Sequence, residues 1–344
     1  MRNLYKPRRS QPEAVFPGKC TRPAKRAAFF SVVFALALGV FSGCGKEGSA
    51  SAAAFGSARS GEKLKVTAAN FPAFDLARAV AGERIELLML LPPGAESHSF
   101  EPSPKDIVSI RNSDVFIYTG GESDAWAEKI LETSASGAKR VITLMSLVDA
   151  VEEEIVPGME EEAGEEEGPA YDEHVWTSPR NAKVIALFLA QTFSELDPPG
   201  AGEYAQRAAA YAKELDELDA EFTSAVKAGR RKTFVFGDRF PFRYFADAYG
   251  LAYFAAFPGC STETECSAAT LAFLIDKVKA EKIPVVFHIE LSNEKIADAL
   301  CEATGAKKLL LHACHNISRD DFQKGLGYLD FMRMNLANVK EALR

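Results

Sequence analysis

Two stretches of this chain share one order of elements, and this repeat constrains the fold more than any other feature. Each stretch contains a strand, a helix closed by glycine, a second strand, a loop that opens with proline, another helix and an apolar strand. The first covers residues 65–119 and the second covers residues 232–289. Alternating strands and helices are typical of a parallel sheet covered by helices. We therefore expect an α/β fold with two parallel-sheet lobes.

A helical stretch separates the two repeats. Ser178-Pro179 is a helix start signal, with serine as the cap and proline in the first turn. Residues 201–227 are rich in alanine, glutamate and lysine, and they predict one helix of about 40 Å that links the lobes. The predicted domains are an N-terminal lobe at residues 64–200, a linking helix at 201–230 and a C-terminal lobe at 231–344.

The N-terminal residues are typical of an export signal. Basic residues precede an apolar run at residues 27–41, which at about 15 residues is short for a bilayer. The run ends in Phe-Ser-Gly-Cys, which resembles a bacterial lipobox with Cys44 as the acylated residue. We predict a lipoprotein signal peptide at residues 1–43 and a flexible Gly/Ser/Ala-rich tether at 44–63. The alternative is an uncleaved membrane anchor, and both alternatives export the rest.

Charge excludes one class of partner. Residues 1–43 hold eight of the 40 basic and one of the 48 acidic residues, so the remaining chain carries 32 and 47, a net charge of about −15. Such a charge repels nucleic acid and attracts cations. Residues 151–168 contribute nine glutamates with few apolar residues, which predicts a disordered acidic loop. The loop either keeps the surface soluble or collects cations weakly before they reach His174.

Histidines are few, and their positions are informative. His98 follows an apolar strand, His312 directly follows another, and His174 lies just before the helix cap. Ligands of open α/β folds bind in loops beyond the carboxyl ends of strands. Three imidazoles there would suit Zn²⁺, although any one of them could instead be a surface or capping residue. His288 lies inside a strand and is predicted to be packed.

Several longer stretches resemble the solute-binding lipoproteins of zinc and manganese ABC importers. The resemblance covers residues 65–344 and rests on LLPPGAESHSFEPSPKDI, DEHVWTSPRNAK, FRYFADAYG, IELSNEKIADALCEATGAKKLLL and YLDFMRMNLANVKEAL. It implies a metal site in the cleft between the lobes, and a monomeric protein anchored by lipid outside the cytoplasm. It also implies a membrane permease as the partner, which receives a divalent metal ion from this protein.

The resemblance also implies the metal ligands. His98 and His174 match two metal-binding histidines of the family. Arg239 falls on the position of the third ligand, but a guanidinium cannot bind a cation, so Asp238, one residue earlier, is the predicted ligand. His312 stands where the family usually has an aspartate.

Two further residues are candidates for the metal site beside the predicted ligands. His315, three residues after His312, is a possible substitute ligand. Glu290 resembles a carboxylate of the family's pocket that could orient an imidazole, or it could be an acid at a helix N-terminus.

Three nitrogen donors favour zinc over manganese, which prefers oxygen. The predicted function is therefore zinc capture and delivery, without catalysis. Manganese import is the nearest alternative. A secreted zinc hydrolase, with Glu101 or Glu290 as base, is an alternative of another class, although the sequence has no H-E-x-x-H motif. Host adhesion, ascribed to some lipoproteins of this family, has no separate support in the sequence.

Four cysteines follow the tether, and an even number in an exported protein suggests disulfides. Four cysteines allow three pairings. None of the cysteines forms a C-x-x-C motif, which would predict a thiolate zinc site. Cys260 and Cys314 both fall in loops on the expected site face of the second lobe. The predicted pairs are therefore Cys260–Cys314 and Cys266–Cys301.

Overall fold

The N-terminal lobe contains a four-stranded parallel sheet. A computed structural model describes residues 62–133, 138–159, 171–261 and 265–344, so the predicted signal peptide, Cys44 and nearly all of the tether lie outside the described residues. The strand order is β2-β1-β3-β4, and Val66 of β1 pairs with Leu87 and with Val115. The strands are Leu64–Ala68 (β1), Ile85–Met89 (β2), Val115–Tyr118 (β3) and Arg140–Thr143 (β4). The helices that follow the first three strands are Phe71–Ala81 (α1), Pro104–Asn112 (α2) and Ala125–Thr133 (α3).

Side chains cap the N-termini of two helices in this lobe. Asn70 accepts a hydrogen bond from the amide of Ala73 at the start of α1. Ser103 and Asp106 form a reciprocal capping box at the start of α2. These caps fix the points at which the chain leaves the loops at the carboxyl ends of β1 and β2.

Two long helices come next, and they confirm the predicted linking helix. The first is Pro179–Leu196 (α4) and the second is Ala201–Ala228 (α5), which has 28 residues and a length of about 42 Å. The described ranges also contain four short 3-10 turns: Gly82–Arg84, Leu144–Leu147, Val175–Thr177 and Pro198–Gly200.

The C-terminal lobe repeats the strand order of the first. β5 pairs with β6 and β7 pairs with β8, in parallel, and a bridge between Phe236 and Phe287 joins the two pairs. The order β6-β5-β7-β8 thus matches β2-β1-β3-β4, and the predicted α/β class with two parallel-sheet lobes is confirmed. The strands are Thr233–Val235 (β5), Ala252–Phe254 (β6), Val285–His288 (β7) and Lys307–Leu310 (β8). The helices are Arg243–Tyr249 (α6), Ala268–Glu281 (α7), Lys295–Thr304 (α8), Arg319–Gln323 (α9) and Tyr328–Ala342 (α10).

One hydrophobic cluster runs through both lobes. It contains Val66 of the first sheet, Leu215 and Phe222 of α5, and Phe234 and Val285 of the second sheet, all buried. Burial of apolar area on this scale holds the lobes in a fixed relation. No helix of the described ranges is long and apolar enough to span a membrane.

The acidic segment differs in part from the prediction of disorder. Residues 151–159 are described and ordered, whereas residues 160–168 lie outside the described part of the chain. Glu152 forms an antiparallel bridge with Tyr171, and Met159 is buried in the shared cluster. The few apolar side chains of this segment, which the glutamates obscure in the sequence, supply the packing that orders it.

Candidate metal centre

Three imidazoles converge between the two lobes. His98, His174 and His315 each offer one ring nitrogen, and these three atoms lie within 4.8 Å of one another. In the described ranges this is the one group of three or more histidine, cysteine or acidic side chains close enough to share an ion. The ring centroids are 4.8 Å apart for His98 and His315, and 4.9 Å apart for His174 and His315.

His174 is oriented by the acid two residues before it. Asp172 Oδ1 accepts the His174 amide at 2.8 Å and lies 3.2 Å from the ring Nδ1, so Nδ1 carries the proton. The other ring nitrogen, Nε2, is buried and has no hydrogen-bond partner. A buried lone pair without a partner is costly unless a ligand occupies it. This arrangement is that of a metal-binding histidine backed by a carboxylate.

The pKa of His174 moves in the opposite direction from those of its neighbours. Burial alone would lower it, but the charge and hydrogen bond of Asp172, with the charges of Glu173 and Glu153, raise it above its usual value. Burial, then the charges of His174 and Arg239, lower the pKa of His98 to about 3. The two rings therefore differ in their affinity for a proton, with His174 binding it more strongly than His98.

His98 lies in the long loop between β2 and α2. Its Nδ1 is 2.9 Å from the hydroxyl of Ser123, which lies in the loop between β3 and α3. The amide of Ser123 donates in turn to Glu173 Oε1 at 2.9 Å. The ring of His98 is thus held at Nδ1.

His315 comes from the loop that follows β8, and Glu290 shapes that loop. The Glu290 carboxylate accepts the amides of Ala313 at 2.6 Å and of His315 at 2.9 Å. Cys314, between them, has a left-handed backbone with φ of 58°, which is unusual outside glycine. Burial first, and then the charges of His98, His174 and Arg239, lower the pKa of His315 well below its usual value.

His312, a predicted ligand, lies outside the three-histidine group. Its ring stacks on Phe331 of α10, with centroids 3.9 Å apart, and its Nδ1 accepts the amide of Cys314 at 3.0 Å. Asn335 binds both the amide and the carbonyl of His312 at 2.8 Å. The structure therefore points His312 towards α10 and brings its proposed substitute, His315, to the site.

Asp238, the other predicted ligand, is also outside the group. Its carboxylate accepts the amides of Arg239 at 2.9 Å and Ile289 at 3.3 Å, so it ties the loops after β5 and β7 together. Arg239 lines the same cavity as the histidines and donates to Glu96 Oε1 at 3.3 Å and to the carbonyl of Ser261 at 3.0 Å. The predicted oxygen ligand, Asp238, thus lies outside the three-histidine group, and Arg239, on the family's third ligand position, places a cation at the cavity.

The cavity itself is small. It has a volume of about 30 Å³ and is lined by the three histidines, Arg239 and Glu290 among other residues. On this measure one water molecule needs about 10–15 Å³. The space therefore suits a single ion with one or two waters, and it is small for an organic substrate.

Neither predicted disulfide is present. Cys260, Cys301 and Cys314 are free thiols in the described residues, so each predicted pair lacks at least one partner. Cys314 is enclosed in the large cluster, whereas Cys301 packs on a separate one with Cys266. Burial raises the pKa of the Cys260 and Cys314 thiols well above its usual value, which keeps them protonated. The prediction failed because loop position alone does not show where a side chain points.

Three site residues were not predicted as such: Asp172, Ser123 and Glu173. Asp172 could have been found, because an acid two residues before a histidine can reach its ring. Ser123 and Glu173 are 25 residues or more from His98, and only the fold brings them to it.

Two α/β lobes, a long connecting helix and a histidine cluster between the lobes define a solute-binding protein for a metal ion. The chain belongs to the ZnuA family, described as zinc-uptake complex component A, periplasmic, whose family model matches residues 66–342.

Known relatives and a solved structure agree with this assignment. The chain is 29% identical to the high-affinity zinc uptake system protein ZnuA of Bacillus subtilis over 289 residues, which are 82% of this chain and 88% of that protein. It is 30% identical to the zinc-binding lipoprotein AdcA of Streptococcus pneumoniae over 81% of this chain, but it spans only 56% of AdcA. The Zn(II)-bound ZnuA-like domain of AdcA has a similar structure, with a TM-score of 0.68, 28% identity, and coverage of 82% of this chain and 99% of the domain.

Proposed function

We propose that this protein captures Zn²⁺ outside the cytoplasm and delivers it to the membrane permease of an ABC importer. The observation that carries the proposal is the buried Nε2 of His174, which has no hydrogen-bond partner and lies in the only three-imidazole group of the described residues. Membership of the ZnuA family and the names of the relatives support zinc uptake as the role.

The proposed ligands are His98, His174 and His315. Three nitrogen donors suit zinc, a borderline-soft ion, better than manganese, which prefers a larger set of oxygens. Arg239 adds a cation instead of a further oxygen ligand, so a water would complete the tetrahedron. In this proposal His315 replaces His312 as a ligand. Asp238 connects the loops after β5 and β7 and does not bind the ion.

The chemistry of Glu290 argues against a hydrolase. A zinc hydrolase needs a general base beside the bound water and room for a substrate. Both carboxylate oxygens of Glu290 accept backbone amides, and the cavity volume is about 30 Å³. We therefore retain binding and release as the function.

Metal analysis tests the proposal directly. Purified protein offered equal zinc and manganese should retain one zinc per chain. Substitution of His98 or His174 by alanine should abolish tight binding, because each removes one of three nitrogen ligands. His288→Ala is the matched control, since the ring of His288 lies outside the three-histidine group. Undiminished zinc affinity in the double variant H98A/H174A would refute the proposal.

We also propose that Cys44 anchors the mature protein to the membrane by lipid. The support is the basic segment, the short apolar run and the small residues before Cys44. In cells, the Cys44→Ser variant should lose lipid labelling and membrane retention, whereas Cys20→Ser should retain both. Unchanged lipid labelling of Cys44→Ser would contradict the anchor.

A further inference from the structure

The ring of His98 is held by a short chain of polar contacts that ends at a buried acid. Ser123 Oγ is 2.9 Å from His98 Nδ1, and the Ser123 amide donates to Glu173 Oε1 at 2.9 Å. A neutral imidazole that binds an ion through Nε2 carries its proton on Nδ1, so in that state His98 Nδ1 donates to Ser123 Oγ. This leaves the lone pair of His98 Nε2 for the ion.

Burial and a tight turn fix the position of Glu173. It is only 2% exposed, and a buried acid requires specific partners. The turn that contains Ser123 closes tightly over it: a Cβ on Gly121, which has φ of 82°, would lie 2.4 Å from Glu173 Oε1. Asp124 fixes the same turn, because it accepts the amides of Thr119 at 2.7 Å and Gly120 at 3.2 Å.

Glu173 also lies between the two residues that form the other half of the site. Asp172 orients His174 directly, and Glu173 contacts His98 through Ser123. One tripeptide, Asp172-Glu173-His174, therefore sets the orientation of two imidazoles that are 76 positions apart in the chain. Both rings belong to the N-terminal lobe, so this lobe supplies two of the three imidazoles and the C-terminal lobe supplies His315.

We propose that Ser123 and Glu173 are positioning residues for zinc capture, which fix the tautomer and the direction of the His98 ring. The inference rests on the proposed zinc-binding function. Neither residue contacts the ion in this proposal. Carboxylate or hydroxyl partners behind a metal-binding histidine typically change metal affinity by about 10- to 100-fold.

Four variants test the pair. Ser123→Ala removes the hydroxyl, and Ser123→Thr restores it. Glu173→Gln removes the charge with little change of shape. Glu122→Gln is the matched control, because Glu122 is an exposed acid one residue from Ser123.

Two readouts separate positioning from general stability. Zinc affinity, from competition with a chelator, should fall by about 10- to 100-fold in Ser123→Ala and Glu173→Gln, and should stay within about threefold of wild type in Ser123→Thr and Glu122→Gln. Long-range ¹H–¹⁵N NMR spectra of the zinc-free protein should show His98 protonated at Nδ1 in wild type and in Ser123→Thr. In Ser123→Ala they should show a mixture of the two tautomers.

The outcomes distinguish this inference from the proposed function. Wild-type zinc affinity and an unchanged His98 tautomer in Ser123→Ala would overturn the positioning role alone, provided that His98→Ala still abolishes binding. Retained binding in His98→Ala would instead overturn the metal-site proposal. If Glu173→Gln fails to fold, the Ser123 pair of variants decides the question.

Discussion

The pH dependence of zinc binding should reveal that only one of the three proposed ligands competes with protons. The pKa of His98 is lowered to about 3, and that of His315 lies well below its usual value. The His98 ring is therefore neutral throughout the range from pH 5 to 7, and burial favours the neutral form of the His315 ring as well. The pKa of His174 is raised instead, chiefly by Asp172 against the opposing effect of burial. Zinc must displace one proton, from His174.

The direction and size of the pH effect on zinc affinity follow from the displacement of one proton. As pH falls through the pKa of His174, the proton-bound fraction grows, and the apparent dissociation constant for zinc rises about tenfold per pH unit. Three ordinary imidazoles with pKa near 6.5 would together approach about a thousandfold per unit below that value. The slope of log Kd against pH should therefore be close to one.

Chelator competition between pH 7 and pH 5 measures this slope, and calorimetry in two buffers counts the released protons. Asp172→Asn is the informative variant. Loss of the carboxylate charge should lower the pKa of His174 and bring proton release at pH 6 towards zero. Release of two or more protons by the wild-type protein at pH 5.5 would refute the reasoning.

Three further expectations concern other parts of the chain. His315→Ala should abolish tight zinc binding, whereas His312→Ala should keep one zinc per chain and lower the thermal midpoint of unfolding, because the His312 ring packs on Phe331. Equal zinc loss in both variants, measured by metal analysis, would contradict the assignment. Arg239→Met should tighten zinc binding on the order of tenfold by removing a cation from the cavity, and weaker binding in a chelator competition would contradict it. Phe222→Ala should lower the free energy of unfolding by about 3–5 kcal/mol, measured in denaturant, since its ring is fully buried against Phe245; a loss below about 1 kcal/mol would contradict its place in the core.

The sequence was most informative where an element is long or apolar. The helix expected at residues 201–227 is present at Ala201–Ala228, and the strand expected at residues 284–289 is present at Val285–His288. β4, Arg140–Thr143, was not predicted. It has four residues, and its first two are exposed at the edge of the sheet, so its pattern is too short and too polar to stand out.

The choice between His312 and His315 could not be made from sequence. Both follow the same strand within five residues, and both are the same residue type. The structure separates them: the His312 ring stacks on Phe331 of α10, whereas His315 lies with His98 and His174, and Cys314 between them has a left-handed backbone. A cysteine gives no sequence signal for that conformation, which glycine or asparagine usually adopts.

The distribution of the proposed ligands over the two lobes bears on how an ion leaves the site. His98 and His174 belong to one lobe, and His315 belongs to the other, but the same hydrophobic cluster fills both lobes and α5 between them. Separating the lobes would expose that cluster to water, at a cost far above that of a few hydrogen bonds. The two ligand loops are held mainly by hydrogen bonds, some of them to each other: Asn316 donates to the carbonyls of Pro92 and Ala95, and Gly94 donates to that of Ile317. Each such bond contributes about 0.5–1.5 kcal/mol. Movement of these loops on a fixed body is therefore less costly than separating the lobes, and we expect release of the ion to involve the loops and not a hinge in the linking helix.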